Sequence, residues 1–227
     1  MTSNALKVIA LILMLIDHVG AIFFPSLRIL RVIGRLAFPI FIFLLNEGFF
    51  YTRSRRDYLL RLILFAFISE IPYDLAFYNR FPYNGKCNVF FTLALGMIVM
   101  ICADRLYEIY PSAISDLLRA LPFILAILCC FGIADMLHTD YGSAGVLAIG
   151  TGYMLKRLNM HRCIVFFGIV AALVLCGKPL EAAAFAALPL ILLYNGKRGV
   201  NNFAIKMFFF SFYPLHLLLL FFISRYK

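Results

Sequence analysis

The chain has 227 residues, 64% of them apolar and 14% charged, with a formal net charge of +10. A soluble domain is roughly half apolar and about a quarter charged, so this composition excludes a soluble globular fold, a disordered tail and a disulfide-stapled secreted module. It fits an integral membrane protein that lies mostly inside the bilayer, where about 20 apolar residues make one crossing.

In chain order, turn and charge clusters cut out nine apolar segments: residues 5–24, 29–51, 57–78, 88–107, 116–137, 141–155, 163–177, 179–195 and 203–224. The first five and the last have full spanning length. The three between 141 and 195 are short, and only Lys178-Pro179 separates the last two, so they read as tilted or kinked spans or a tight hairpin. The expected fold is an all-α, polytopic membrane bundle of eight or nine helices, with residues 1–227 as one domain. Asp17-His18 interrupts the first segment and no A-x-A site follows, so it reads as a retained span rather than a cleaved signal.

The 21 Lys and Arg residues divide thirteen to eight between alternate loops, in favour of the side that holds the N-terminus. Short cytoplasmic loops carry the basic excess. The expected location is therefore a cell membrane, with the N-terminus in the cytoplasm. The same rule explains the net charge without a nucleic-acid partner. The six cysteines follow no zinc or redox spacing and read as small hydrophobes, and no metal is expected.

Polar groups inside the segments are more informative. His18, Glu70 and His216 each lie thirteen residues from the N-terminal-side end of their spans, about 20 Å deep at helical rise. Arg35, in a span running the other way, lies about 21 Å from the same surface. Asp17 and Asp74 fall within about a turn of that level, and Glu70 and Asp74 share a helix face. Lipid-facing ionisable groups are costly, so these six are expected to face one another. One reading is helix-gluing ion pairs, such as Arg35 with Glu70 or Asp74. The other is a reactive or transport site. Histidine titrates near neutrality, and a neighbouring carboxylate fixes its tautomer and raises its basicity, as a general base requires.

Lys7 and His18 are eleven residues apart, just over three turns, so they share a face about 16 Å apart. One end of that face is a surface cation and the other a deep base. Arg53-Ser54-Arg55-Arg56 and Asn195-Gly196-Lys197-Arg198-Gly199 lie on the same side. Arginines fork onto phosphate, and glycines let backbone amides approach an anion. Such loops are also ordinary topology anchors. With Lys7 they make a candidate collar for an anionic cofactor.

Several motifs resemble the TraX family of membrane proteins, named for a conjugative-pilus protein linked to N-terminal acetylation of pilin. They are Leu6-Lys7 with Ile16-Asp17-His18-Val19-Gly20, Gly34-Arg35-Leu36-Ala37-Phe38-Pro39, Glu47-Gly48-Phe49 and Ser69-Glu70-Ile71-Pro72-Tyr73-Asp74. Asn88-Val89-Phe90-Phe91-Thr92, Tyr194-Asn195-Gly196-Lys197-Arg198-Gly199 and Tyr213-Pro214-Leu215-His216 extend the resemblance over most of the chain. A weaker likeness reaches the wider transmembrane acyltransferases, which carry a basic residue, ten residues and a histidine in an early span, as Lys7 and His18 do. The bacterial ones add an R-x-x-R element, which Arg53 and Arg56 match. The chain is shorter than those proteins by about one or two spans.

The resemblance implies an acetyltransferase that takes acetyl-CoA from the cytoplasm and acetylates an acceptor outside. On that reading Lys7, Arg53, Arg56, Asn195, Lys197 and Arg198 hold the donor. His18, helped by Asp17 or Glu70 with Asp74 nearby, deprotonates the acceptor. Arg35 orients the carboxylates or stabilises an oxyanion, and His216 is a second acid/base or a positioning group. The implied acceptor is the N-terminal amine of a pilin; a glycan, lipid or small molecule is equally compatible with the residues, and self-association is left open. A proton-coupled transporter or a structural membrane subunit remains as an alternative.

Overall fold

The computed structural model describes residues 1–109, 116–200 and 202–226, with residues 116–123 described by backbone alone. Arg119 and Lys227, which enter the charge balance above, lie outside the described side chains. The described residues form α1 (Ser3–Phe23), α2 (Arg28–Gly34), α3 (Ala37–Tyr51), α4 (Arg55–Tyr78), α5 (Val89–Ile109), α6 (Asp116–Met136), α7 (Gly142–Arg157) and α8 (Arg162–Cys176). A 3₁₀ helix (Pro179–Ala187), α9 (Leu188–Leu192) and α10 (Phe203–Arg225) complete them.

Among the described residues, four stretches, Ser3–Phe23, Arg28–Tyr51, Val89–Ile109 and Phe203–Arg225, are long and apolar enough to cross a membrane. Ile124–Met136, Arg162–Cys176 and Pro179–Leu192 are apolar but shorter. The outward faces fit lipid. Leu60, Leu64, Phe67 and Ile71 of α4 and Leu215, Leu219 and Phe222 of α10 are exposed at helical spacing, and stripes of that kind are unfavourable in water. The core lies around α3, which buries side chains on all its faces, from Ile40 and Ile42 to Asn46 and Phe49.

Helix starts follow local capping chemistry. Thr2 Oγ1 accepts from Ala5 N, Ser54 Oγ from Asp57 N and Asn202 Oδ1 from Ile205 N. Two expected spans are broken. Residues 29–51 divide at Arg35-Leu36 into α2 and α3. Pro39 would clash with the carbonyl four residues back, that of Arg35. It is tolerated in the first turn of a new helix, where free N–H groups have no helical partner anyway. Residues 179–195 are a correction: the 3₁₀ helix and short α9 replace a continuous span, with Pro189 at the junction. The steeper 3₁₀ rise lets this stretch cover about 25 Å with few residues.

Helix ends on the same side are laced together. At the N-terminal end of α1, Ser3 N donates to Lys197 O and Asn195 N to Met1 O. Arg55 of α4 and Arg157 of α7 converge there on Asp104 of α5, at 2.5 and 2.7 Å. At the opposite end, Cys87 N donates to His138 O and Asp140 N to Cys87 O.

Candidate functional site

Lys7, Leu11, Met14 and His18 recur at helical spacing and form one stripe along α1. The first three line a cavity of about 310 Å³ enclosed by α1, α3, α4, α5 and α10. Its rim carries four cations, Lys7, Arg61, Arg198 and Lys206, with Glu47 and Gly196 beside them. The Lys7 ammonium also lies 5.0 Å from the centre of the Phe209 ring. The interior is apolar, lined by residues such as Leu44, Leu62, Leu93 and Phe210. Met14, Phe38, Phe90 and Tyr213 also line it.

Behind Tyr213 sit two histidines. The Tyr213 ring centre is 6.0 Å from that of His18 and 5.6 Å from that of His216. His18 Nδ1 and His216 Nε2 are 2.7 Å apart, and the rings are within 9° of parallel. His216 Nδ1 lies 2.7 Å from the carbonyl oxygen of Phe212. Phe77 closes another side of His18, edge-on at 5.2 Å. The two imidazoles, placed at one depth by sequence, are therefore in direct contact.

The carboxylates are used differently from the sequence expectation. Asp17 turns away from its neighbour His18 and binds Arg31 at 2.7 Å and Arg35 at 3.0 Å. Arg35 also reaches Glu181 of the 3₁₀ helix at 3.1 Å. The expected pairing of Arg35 with Glu70 or Asp74 is thus corrected: its partners are Asp17 and Glu181. Glu70 accepts from the backbone N–H of Asn88 at 3.1 Å and from its side chain. Asp74 accepts from Tyr83 N at 2.8 Å. Both acids fasten the 79–88 connection. In that connection, burial and the nearby Glu70 carboxylate push the Cys87 thiol up to about 12.

The collar is also redistributed. Lys7 and Arg198 line the cavity, whereas Arg53 and Arg56 are exposed and outside it. Asn195 Oδ1 accepts from Lys197 N and shapes the turn that brings Gly196 and Arg198 to the rim. Lys197 does not line the cavity. Sequence reasoning missed Arg61 and Lys206 as rim residues, although both entered the charge balance. It also missed Glu181, whose signal was an acid inside an apolar segment. A second, smaller cavity of about 220 Å³ lies beside Glu47, which binds Lys156 and accepts from Tyr194 Oη at 3.1 Å.

Comparison with known proteins gives a consistent relationship. The chain is 35% identical to the probable fimbrial assembly protein FimC, serogroup H1, of Dichelobacter nodosus, over 95% of this chain and 92% of that protein. It is 29% identical to the protein TraX of Escherichia coli, over 96% of this chain and 85% of that protein. No solved structure matches. The family model described as TraX protein matches residues 2–224, nearly the whole chain, and the chain belongs to the TraX family.

Proposed function

We propose that this protein is a membrane acetyltransferase that takes acetyl-CoA from the cytoplasm and transfers the acetyl group to the amine of a pilus subunit. The observation that carries the reading is the cavity: four cations at its rim, an apolar interior, and a Tyr213 wall backed by His18 and His216. Phosphates are suited to the rim, where Arg61 and Arg198 fork and Lys7 and Lys206 act as point charges. The apolar channel suits the pantetheine arm. Lys7 and His18, about 16 Å apart along one helix face, span the distance from rim to base. His18 receives the proton of the attacking amine as its nitrogen bonds to the acyl carbon. The carbon–sulfur bond breaks, and the leaving thiolate takes that proton. The amine acceptor draws on the fimbrial-assembly name of the Dichelobacter relative and on the pilin link of the TraX name. The cytoplasmic side is assigned to the rim because basic residues favour it.

The test uses the full chain purified in detergent with labelled acetyl-CoA. We expect binding that weakens about tenfold or more in Arg61→Ala and in Lys206→Ala. His18→Ala is expected to bind acetyl-CoA but lose about 10²-fold or more in transfer, the contribution of a general base. Failure of the wild-type protein to bind acetyl-CoA overturns the reading.

A further inference from the structure

We infer that His216 is a positioning residue that locks His18 in the tautomer with its proton on Nδ1, leaving Nε2 of His18 as the bare, base-competent nitrogen. The assignment follows from which atoms can donate. The Phe212 carbonyl can only accept, so the 2.7 Å contact requires a proton on His216 Nδ1. In an uncharged ring this leaves Nε2 of His216 as an acceptor. His18 Nδ1, 2.7 Å from that Nε2, must then donate. The lone pair of His18 is consequently on Nε2, which has no hydrogen-bond partner among the described residues.

The surroundings hold the pair uncharged and in place. Phe77, Phe212 and Tyr213 pack on the two rings. Asp17, the nearest acid in sequence, is bound to Arg31 and Arg35. A buried charge with no counter-ion is unfavourable, and two imidazolium rings could not share a 2.7 Å contact, since both nitrogens would be donors. In an Asp–His pair a carboxylate orders the base; here a second histidine, ordered by its own helix backbone, takes that part. When His18 Nε2 takes a proton, the positive charge that develops is stabilised through Nδ1–H by the His216 lone pair. The proton returns from Nε2 to the leaving group, and both rings recover their starting state.

The catalytic role rests on the acyl-transfer reading above; the ring assignment does not. It is tested on the full chain, labelled with ¹⁵N-histidine and carrying His138→Gln and His161→Gln to clear the other two imidazoles. Long-range ¹H–¹⁵N spectra distinguish a protonated ring nitrogen from a bare one. The expected result is Nδ1–H with bare Nε2 for both His18 and His216. A proton on Nε2 of His18 overturns the proposal. In His216→Leu the His18 signal should move to a mixture of tautomers, and kcat should fall about 10²-fold with KM for acetyl-CoA unchanged. His216→Gln, whose amide can both donate to Phe212 and accept from His18, should recover most of that loss. Wild-type turnover in His216→Leu overturns the positioning role. Should that variant not fold, His216→Asn, polar but too short to reach His18, replaces it under the same criteria. If the wild-type protein neither binds nor turns over acetyl-CoA, the acetyltransferase reading fails while the spectrum still decides the ring assignment.

Discussion

Arg35 joins two of the carboxylates that the bundle buries. It is 12% exposed, and it binds Asp17 and the 3%-exposed Glu181 at once. Removing one partner of a buried ion pair leaves the other charge uncompensated, at about 3–5 kcal/mol. Arg35→Met should therefore lower unfolding stability by that amount, and Arg35→Met/Glu181→Gln should recover much of it, as read from denaturation in detergent. Equal stability of the single and double variants would sink the pairing. The same residues show how far sequence carried the site. Helical rise gives the height of a side chain in the membrane, so His18 and His216 were legible as level with each other. Rise says nothing about azimuth around the bundle, so it did not reveal that Glu70 and Asp74 face the 79–88 connection. Glu181 was hidden because its segment is a 3₁₀ helix, whose rise differs from the one assumed.

At the scale of elements, the contact of α1 with α2 depends on the absence of a side chain at Gly34. A Cβ there would sit 2.2 Å from the Asp17 Cβ and 2.3 Å from Asp17 Oδ1. Gly34→Ala must push the helices apart or displace the carboxylate from Arg31 and Arg35, and overpacking of this kind costs about 1–3 kcal/mol. Gly132 of α6 is the control, since a Cβ there meets nothing within 4 Å. Gly132→Ala should be neutral or stabilising by up to about 1 kcal/mol through helix propensity. Thermal unfolding of the two variants side by side checks the contrast, and equal effects would argue against close α1–α2 packing. The apolar runs themselves were readable, because spanning length leaves a long signal. The break at Arg35-Leu36 was not marked in advance, although Pro39 carries its cause: apolar residues on both sides of Arg35 conceal it from a hydropathy reading.

Across the whole molecule, the site is assembled from distant parts of the chain. The His18–His216 contact joins residues 198 positions apart, and the cavity takes walls from α1, α3, α4, α5 and α10. Contacts between helices so far apart in sequence form late, because the ends of a long chain must first be brought together. The segment just before α10 also carries the rim, through Gly196 and Arg198, and is hydrogen-bonded to the start of α1 through Ser3 and Asn4. Residues 1–200 expressed without α10 should therefore bind acetyl-CoA at least tenfold more weakly and transfer nothing. Co-expression of residues 201–227 as a separate membrane peptide should restore transfer in part. Full activity of the 1–200 piece would contradict this assembly.

The contact between α1 and α10 also sets a schedule. Chains emerge and fold from the N-terminus, so His18 enters the bilayer well before its partner, 198 positions further on, has been made. Throughout that interval His18 lacks its ring partner, and the cavity lacks the wall and the Lys206 cation that α10 supplies. If the proposed acetyltransferase function holds, a chain clipped before α10 is a silent product, and acetyl transfer begins only once α10 has docked.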